Sequence, residues 1–409
     1  MKGETLFLAH RVPFPPDRGD KIRSHHLLAA VATLGPVHVG TFGETDDDMA
    51  CEAELARVAR SHCLVRRTKP LAQAGLEALA TGKPVSLTAF DSPRLRAWIA
   101  RTLATRPIDR IFVFSGQMGQ YVPESYAGRV VIDLCDVDSA KFEDYARQHG
   151  WPRAVLDRRE ARLLAAEEER LAHRAAATLL VTPAEAALFA SRLRRPGRAR
   201  IAALPNGIDT ATYDPARVRP HPDLAGSGGP HLVFTGQMDY PPNVAAVQRI
   251  AAAILPAIRQ TFPGARLHVV GRAPVAEVLR LDGEGGVRVW GEVPDVKPFL
   301  AAADLVLAPL SIARGVQNKV LEAMAMARPV VLSHEAATGI DAQDGREFAV
   351  GGDDAALVRR SLALLHDPLA AAAMGAAARR FVVAHQGWAA ALAPLADVLL
   401  GSGGRRDAA

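Results

Sequence analysis

The sequence predicts an α/β chain built from two doubly wound domains. Three observations carry this. At 409 residues the chain is too long for a single hydrophobic core, and two domains follow from length alone. Apolar runs of strand length alternate with segments of helical period in both halves, the pattern of parallel sheets covered by helices. The stretch over 304–333 shows the unit of this pattern in full. An apolar strand over 304–310 leads into a loop carrying Gly315. A short helix over 319–327 follows, with Asn318 as its N-cap, and Arg328-Pro329 stops it before the buried strand over 330–333.

Composition narrows the class. Half of the residues are hydrophobic (49%), so the chain is globular. Lys and Arg (49) exceed Asp and Glu (44) by 5, a mild bias that suits an anionic ligand or an anionic membrane face. No basic run is interleaved with aromatics, which argues against nucleic acid. The basic block over 192–200 reads as a solvated loop first and a lipid-facing patch second. Cys51, Cys63 and Cys135 are scattered without metal spacing, so a reducing compartment and no structural metal are expected. The N-terminal apolar run is too short for a signal sequence, and no window reaches the length of a membrane span. The expectation is a soluble, cytoplasmic chain able to touch the inner face of a membrane.

In the first half, strand one spans 5–9 and enters a Pro- and Gly-rich loop before a helix over 22–34. Gly19, Lys21 and Arg23 place two cations at that helix start, a candidate anion cradle on the acceptor side; a solvated basic first turn is the alternative. Strand two (37–42) precedes Asp46-Asp47-Asp48, which caps a helix over 49–61. Strands follow at 63–66, 110–115, 129–133 and 179–181, with helices at 71–80, 93–104 and 182–193. Asp133, Asp136 and Asp138 fall at a strand's carboxyl end, where this architecture places catalytic groups. Asp136-x-Asp138 as a metal motif is discounted, because one such pair is weak evidence; capping of a helix by Asp138 or Ser139 is the plain reading. In the long charged helix over 152–177, Glu160, Glu167, Glu168 and Glu169 alternate with arginines and read as a solvent face.

In the second half, strands over 231–234, 266–270 and 287–290 end in Gly236-Gln237, Gly271-Arg272 and Gly291-Glu292-Val293. With Gly315 in the later loop, glycines recur along one sheet edge and suggest a backbone-lined nucleotide cleft. Helices lie over 243–260, 295–302, 354–365 and 369–385, and a last one over 387–400. At 315–322 the geometry suggests chemistry. Gly315 lets a ligand approach, and the amides of Val316, Gln317, Asn318 and Lys319 point at an anion with the Lys319 charge behind them. Glu322, one turn in, suits a pair of hydroxyls. Anion then diol describes a nucleoside diphosphate and its ribose. An ordinary i,i+3 surface pair of Lys319 and Glu322 is the competing reading.

These residues resemble the retaining glycosyltransferases of family 4, whose GT-B fold sets two Rossmann-like domains facing a cleft. The likeness runs over essentially the whole chain, in PNGID, GEVPD, DLVLAPL and KVLEAMAMARPVV. FPPDRGDKIR, DVDS and VQNKVLEAMAMARPVV also resemble a narrower group, the sugar transferases of exosortase/PEP-CTERM exopolysaccharide systems. The resemblance implies a hexosyltransferase-type enzyme that uses a nucleotide sugar as substrate and no cofactor. It implies donor contacts at Gly236, Gln237, Gly271, Arg272, Glu292, Val293 and 315–318, with Glu322 on the ribose. Three departures stand out. Arg314 occupies the place of a donor-sugar Glu, Gln237 and Asn243 replace two diphosphate cations, and Cys135 replaces a first-domain His. Lys319, Lys21 and Arg314 are then expected to supply the missing charge, and Asp136 to act near the sugar. Catalytic roles therefore fall to Asp136, Arg314 and Lys319. The expected layout is an acceptor-side domain over 1–204, with the helix over 386–400 packing back on it, and a donor domain over 205–385. The implied acceptor is a glycan or lipid-linked saccharide. A catalytically silent nucleotide-sugar-binding subunit and a GT-B epimerase are the alternatives.

Overall fold

The computed structural model describes residues 3–226, 228–313 and 316–401. Arg314 and Gly315 lie outside the described residues, as does the tail over 402–409. The chain divides into two compact units, Met1–Asn206 with Leu392–Ala409, and Gly207–Ala391.

The first unit is a seven-stranded sheet: β1 (Glu4–Ala9), β2 (Val37–Gly43), β3 (Ser61–Arg66), β4 (Ile108–Phe114), β5 (Arg129–Cys135), β6 (Ala177–Leu180) and β7 (Ile201–Ala203). Its order is β3-β2-β1-β4-β5-β6-β7, and every pairing is parallel. The second unit holds β8 (His231–Thr235), β9 (Arg266–Val270), β10 (Val287–Gly291), β11 (Leu305–Ala308), β12 (Val330–Leu332) and β13 (Ala349–Val350). Its order is β10-β9-β8-β11-β12-β13, again all parallel. The central strands are mostly apolar because both faces are covered, and β1, β8 and β11 are buried along their whole length. Strand order reverses between β1 and β4 in one unit and between β8 and β11 in the other. Those two switch points are where such sheets open a crevice for ligands.

Local chemistry sets the helix starts. Ser92-Pro93, Thr182-Pro183 and Asp367-Pro368 each join a side-chain N-cap to a proline at the first helical position, where a missing N–H costs nothing. The Asp46–Asp48 run lies in a short helix, Asp46–Ala50, whose cap is Thr45. Asp48 reaches back to the Thr45 amide to close a capping box, and a second helix, Glu52–Val58, follows. The helix expected over 22–34 begins earlier, as Gly19–Thr33.

Several expectations are corrected. The helix over 243–260 widens to a π turn at Ile250–Ile254, just ahead of Pro256, whose ring would clash with a carbonyl one turn back. The last helix is two pieces, Trp388–Ala391 in the second unit and Leu395–Leu400 in the first. Helix Asn318–Ala325 takes Gln317, not Asn318, as its N-cap residue. It ends through Ala327 in the left-handed region (φ +54°) rather than at Pro329.

The solvent face assigned to the helix Arg153–Arg174 is the largest correction. Glu160 and Glu168 are buried. Glu160 accepts from the amides of Val85 and Ser86 (2.8 Å each), and Glu168 accepts from the Ser139 amide at 2.9 Å. Each carboxylate thus satisfies the start of another helix. Glu167 pairs with Arg170 at 2.7 Å and Glu169 accepts from the Arg194 amide at 2.9 Å, and both side chains are largely covered.

Candidate functional site

In the second unit the carboxyl ends of β8, β9 and β10 are laced together by backbone. The Gly236 amide donates to Val270 O (3.1 Å), and the Gly271 amide to Gly291 O (2.8 Å). A Cβ on Gly271, at φ +152°, would lie 1.6 Å from Gly236 O, so only glycine fits there. Gly236, at φ +156°, lies under two side chains: a Cβ there would sit 2.8 Å from Asn243 Nδ2 and 2.9 Å from Lys319 Nζ. Beyond the strands, Arg272 donates to Gln237 Oε1 at 2.9 Å, joining the two residues that follow β8 and β9. Gln237, Arg272 and Glu292 are exposed, while Val293 is half-buried.

Lys319 and Glu322 are brought to this edge by helix Asn318–Ala325, which buries Val320, Leu321, Met324 and their neighbours in the core. The Lys319 ammonium donates to Asn243 Oδ1 at 2.5 Å and stands 4.3 Å from the centre of the Phe234 ring. Asn243 in turn donates to Gln237 O at 2.8 Å. Burial pulls the Lys319 pKa down to about 8, and Glu322 resists that fall. Glu322 is not a solvated partner for Lys319. Burial raises its carboxyl, opposed by a hydrogen bond to the Tyr213 side chain and by the charges of Lys319 and Lys297. Burial and the Glu322 charge push the Tyr213 hydroxyl up, so it stays a neutral donor. The simple surface ion pair is therefore set aside in favour of two half-buried groups, each held by its own neighbour. Asn318, Gln317 and Val316 precede them, and the Cβ of any residue replacing Gly339 would come within 3.1 Å of Val316 Cγ2. Tyr213 went unread in the sequence. It lies 109 positions from Glu322, in a loop whose only local signal was Asp209–Asp214 turn chemistry.

In the first unit, Lys21 and Arg23 do not offer a cationic cradle. Both are buried. Lys21 Nζ is 2.6 Å from Asp48 Oδ1 and also reaches Phe14 O. Arg23 Nη2 is 2.7 Å from Asp133 Oδ2, and the same guanidinium donates to Leu204 O and Asn206 Oδ1. Their charge is consumed inside the unit. Gly19 opens the helix with nothing near its Cβ position.

The carboxyl ends of β1, β4 and β5 meet at the first switch point. Ser115 (φ +76°) and Cys135 (φ +65°) are both held in the left-handed region, a strain that clusters at functional edges. Burial, with Asp133 adding to it, pushes the Cys135 thiol far up, so it is no nucleophile. Asp136 is exposed, whereas Asp138 is half-buried and burial raises its carboxyl. Asp138 opens the helix Asp138–Gln148 without capping it, since the N-cap is Val137, and Ser139 Oγ donates to Glu168 instead. His10, unread in the sequence, is buried after β1 with its ring 5.7 Å from Phe114, and Nε2 is 3.3 Å from Asp20 Oδ2. Burial lowers its pKa, opposed by the Asp20 hydrogen bond. Burial alone would raise the Asp20 carboxyl, but its bonds from His10 and Arg11 hold it well below the usual range.

Residues 229–367, the heart of the second unit, match the family model described as glycosyl transferases group 1. Glycogen synthase of Mycobacterium tuberculosis is 28% identical over 283 residues, 66% of this chain and 63% of that relative. The chain thus spans less than two thirds of the length of the curated relatives it matches. Among solved structures, HepE of Anabaena in complex with UDP and glucose aligns over 97% of this chain and 98% of its own, with TM-score 0.59 and 16% identity. Sucrose-phosphate synthase of Thermosynechococcus elongatus aligns over 96% and 97%, with TM-score 0.58 and 16% identity. The two parallel sheets and these neighbours define the GT-B fold of two Rossmann-like units. The match to glycosyl transferases group 1 lies within the second unit.

Proposed function

We propose that the chain moves a hexose from a nucleoside-diphosphate sugar to an acceptor saccharide. The observation that carries this reading is the Lys319 ammonium, fixed over the Gly236 backbone at the β8/β11 switch point with the Glu322 carboxyl one turn behind it. An ammonium over a glycine suits a pyrophosphate, and a buried carboxyl held by one hydroxyl suits a ribose diol. HepE, held with UDP and glucose in a like fold, makes a uridine donor the first to test.

Charge develops on the leaving diphosphate as the sugar becomes oxocarbenium-like. Lys319 and the first amides of helix Asn318–Ala325 would stabilise it, in the manner of an oxyanion hole. Arg272, hydrogen-bonded to Gln237, offers the second cation that Gln237 itself cannot. In this reading the second unit binds the donor, and the first takes the acceptor beside Asp136, Asp138 and His10. A metal-independent, retaining transfer to a lipid-linked saccharide in exopolysaccharide synthesis, at the inner face of a membrane, is the finer form of the proposal. It rests on the sequence resemblance.

The test is release of nucleoside diphosphate from a panel of nucleotide sugars, with UDP-glucose first. Steady release that Glu322→Ala and Lys319→Ala each depress at least about tenfold is expected. Tight binding with no release from any donor would replace the transferase by a silent binding subunit, and UDP affinity untouched by Glu322→Ala would remove the ribose assignment.

A further inference from the structure

The first unit contains an apolar groove that the transfer chemistry above does not use. It has a volume of about 660 Å³ and runs between the helices Leu71–Thr81, Val85–Thr88 and Arg153–Arg174. Its outer walls are Leu71, Leu76 and Leu79 from one helix and Leu156 from another, exposed by 60–70% each. Four large apolar side chains left this open on adjoining helices are unusual for a surface with no partner. Gly75 lies between them and also lines the groove, with open space at its Cβ position.

The two ends of the groove differ in chemistry. The inner end reaches the carboxyl edge of the sheet, where it is lined by Arg11, which follows β1, and Arg67, which follows β3. Arg67 lies 5.3 Å from the Phe90 ring centre, and that ring meets His10 edge-on at 5.8 Å. The polar end therefore abuts the switch point of this unit. Both guanidiniums contact Glu44, and Arg11 also pairs with Asp20 at 2.7 Å, so two carboxylates balance the two charges there.

Basic residues adjoin the lining, which also includes Asp157, paired with His149, and Glu160, bound by the Val85 and Ser86 amides. Lys83 and Arg153 are exposed and have no ion pair among the described residues. Arg159 spends its donors on the carbonyls of Ala78 and Lys83 rather than on an acid. Exposed leucines beside unpaired Lys and Arg, with Trp151 projecting 86% exposed just before the third helix, make a surface suited to an anionic bilayer.

We infer that this groove receives the apolar chain of a membrane amphiphile whose anionic head stays at the outer end, beside Lys83 and Arg153. The occupant is drawn from a bilayer, whose anionic face the outer cations meet. The inference deepens the acceptor half of the proposed function and rests on it for the meaning of the head group, but lipid binding itself does not depend on catalysis.

The experiment is co-sedimentation of the full chain with phosphatidylglycerol vesicles and, separately, with phosphatidylcholine vesicles, with soluble dodecyl phosphate as competitor. The wild type should sediment with the anionic vesicles, not with the zwitterionic ones, and dodecyl phosphate should displace it. Leu76→Glu with Leu79→Glu puts charge on an exposed wall, and Gly75→Phe puts a ring into the open space at that position. Both should fold as the wild type does, keep their UDP affinity, and lose vesicle affinity by about tenfold or more. No sedimentation of the wild type, or variants that sediment equally well, overturns the groove. UDP binding is read on the same samples: vesicle binding without UDP binding sinks the donor reading and leaves the groove standing, and the reverse result does the opposite.

Discussion

Lys319 is the residue whose environment says most about its work. It is half-buried, bonded to Asn243, and seated over an aromatic ring, yet its pKa of about 8 keeps it charged at neutral pH. A bound diphosphate would favour the charged form and raise that value. UDP affinity should therefore fall as pH rises through about 8, and binding near pH 8 should take up a proton. Calorimetry in buffers of different ionisation enthalpy measures that uptake directly; an affinity flat from pH 7 to 9 would mean Lys319 does not touch the phosphates. Tyr213 acts through Glu322 rather than on the ligand. Tyr213→Phe removes one hydrogen bond to a buried carboxyl, worth about 1–3 kcal/mol. It should weaken UDP binding by about tenfold while thymidine diphosphate, which lacks the 2′-hydroxyl, is affected less. Equal loss for both nucleotides would assign Tyr213 to packing alone.

At the scale of elements, the helices of the first unit are tied to one another by carboxylates. Glu168 spans from the helix Arg153–Arg174 to the start of Asp138–Gln148, accepting from Ser139. Burial pushes its pKa from 4.5 up to about 7, against the pull of those bonds. A carboxyl whose folded pKa is raised contributes its full stability below its unfolded pKa. That contribution is lost as pH rises toward and through the folded value. Wild-type stability should thus fall by roughly 3 kcal/mol between pH 4.5 and pH 8 from this group alone. Glu168→Gln, which keeps an acceptor and a donor toward Ser139, should flatten that part of the profile in urea unfolding. A parallel profile for the two proteins would show that water or another group neutralises the site. Glu160 has the same task at the start of Val85–Thr88. Helical spacing marked both as solvent-facing, because spacing reports which face a residue shares and not what lies against that face.

At the scale of the whole chain, two parallel sheets each present a switch point, and each unit has its own core. In the first unit, Arg23 joins the helix Gly19–Thr33 to β5 through Asp133 and to the segment after β7 through Leu204 and Asn206. Asp133 is wholly buried, so Asp133→Ala leaves an unpaired guanidinium inside the unit and should cost about 3–5 kcal/mol. The loss should appear in the denaturation of the first unit, while UDP binding by the second persists; replacing both partners by apolar residues should recover much of it. An unchanged midpoint would mean the pair is hydrated. The anion cradle read from Lys21 and Arg23 fails for the same reason: their partners, Asp48 and Asp133, are 27 and 110 positions away.

What the sequence determined by itself was the strand–helix alternation, the glycines at the strand ends, and the placement of Lys319 and Glu322 on one short helix. Those features are local. Period, proline and glycine act within a few residues, and a parallel sheet then places every strand end on one edge. Only the tertiary structure decided which charges remain open to a ligand. Lys319 keeps an ammonium over Gly236, while Lys21 and Arg23 spend theirs on distant carboxylates, and Tyr213 and His10 arrive at their sites from loops. A buried charge is paired by whatever the fold brings to it, and that partner is set by packing between elements far apart in the chain.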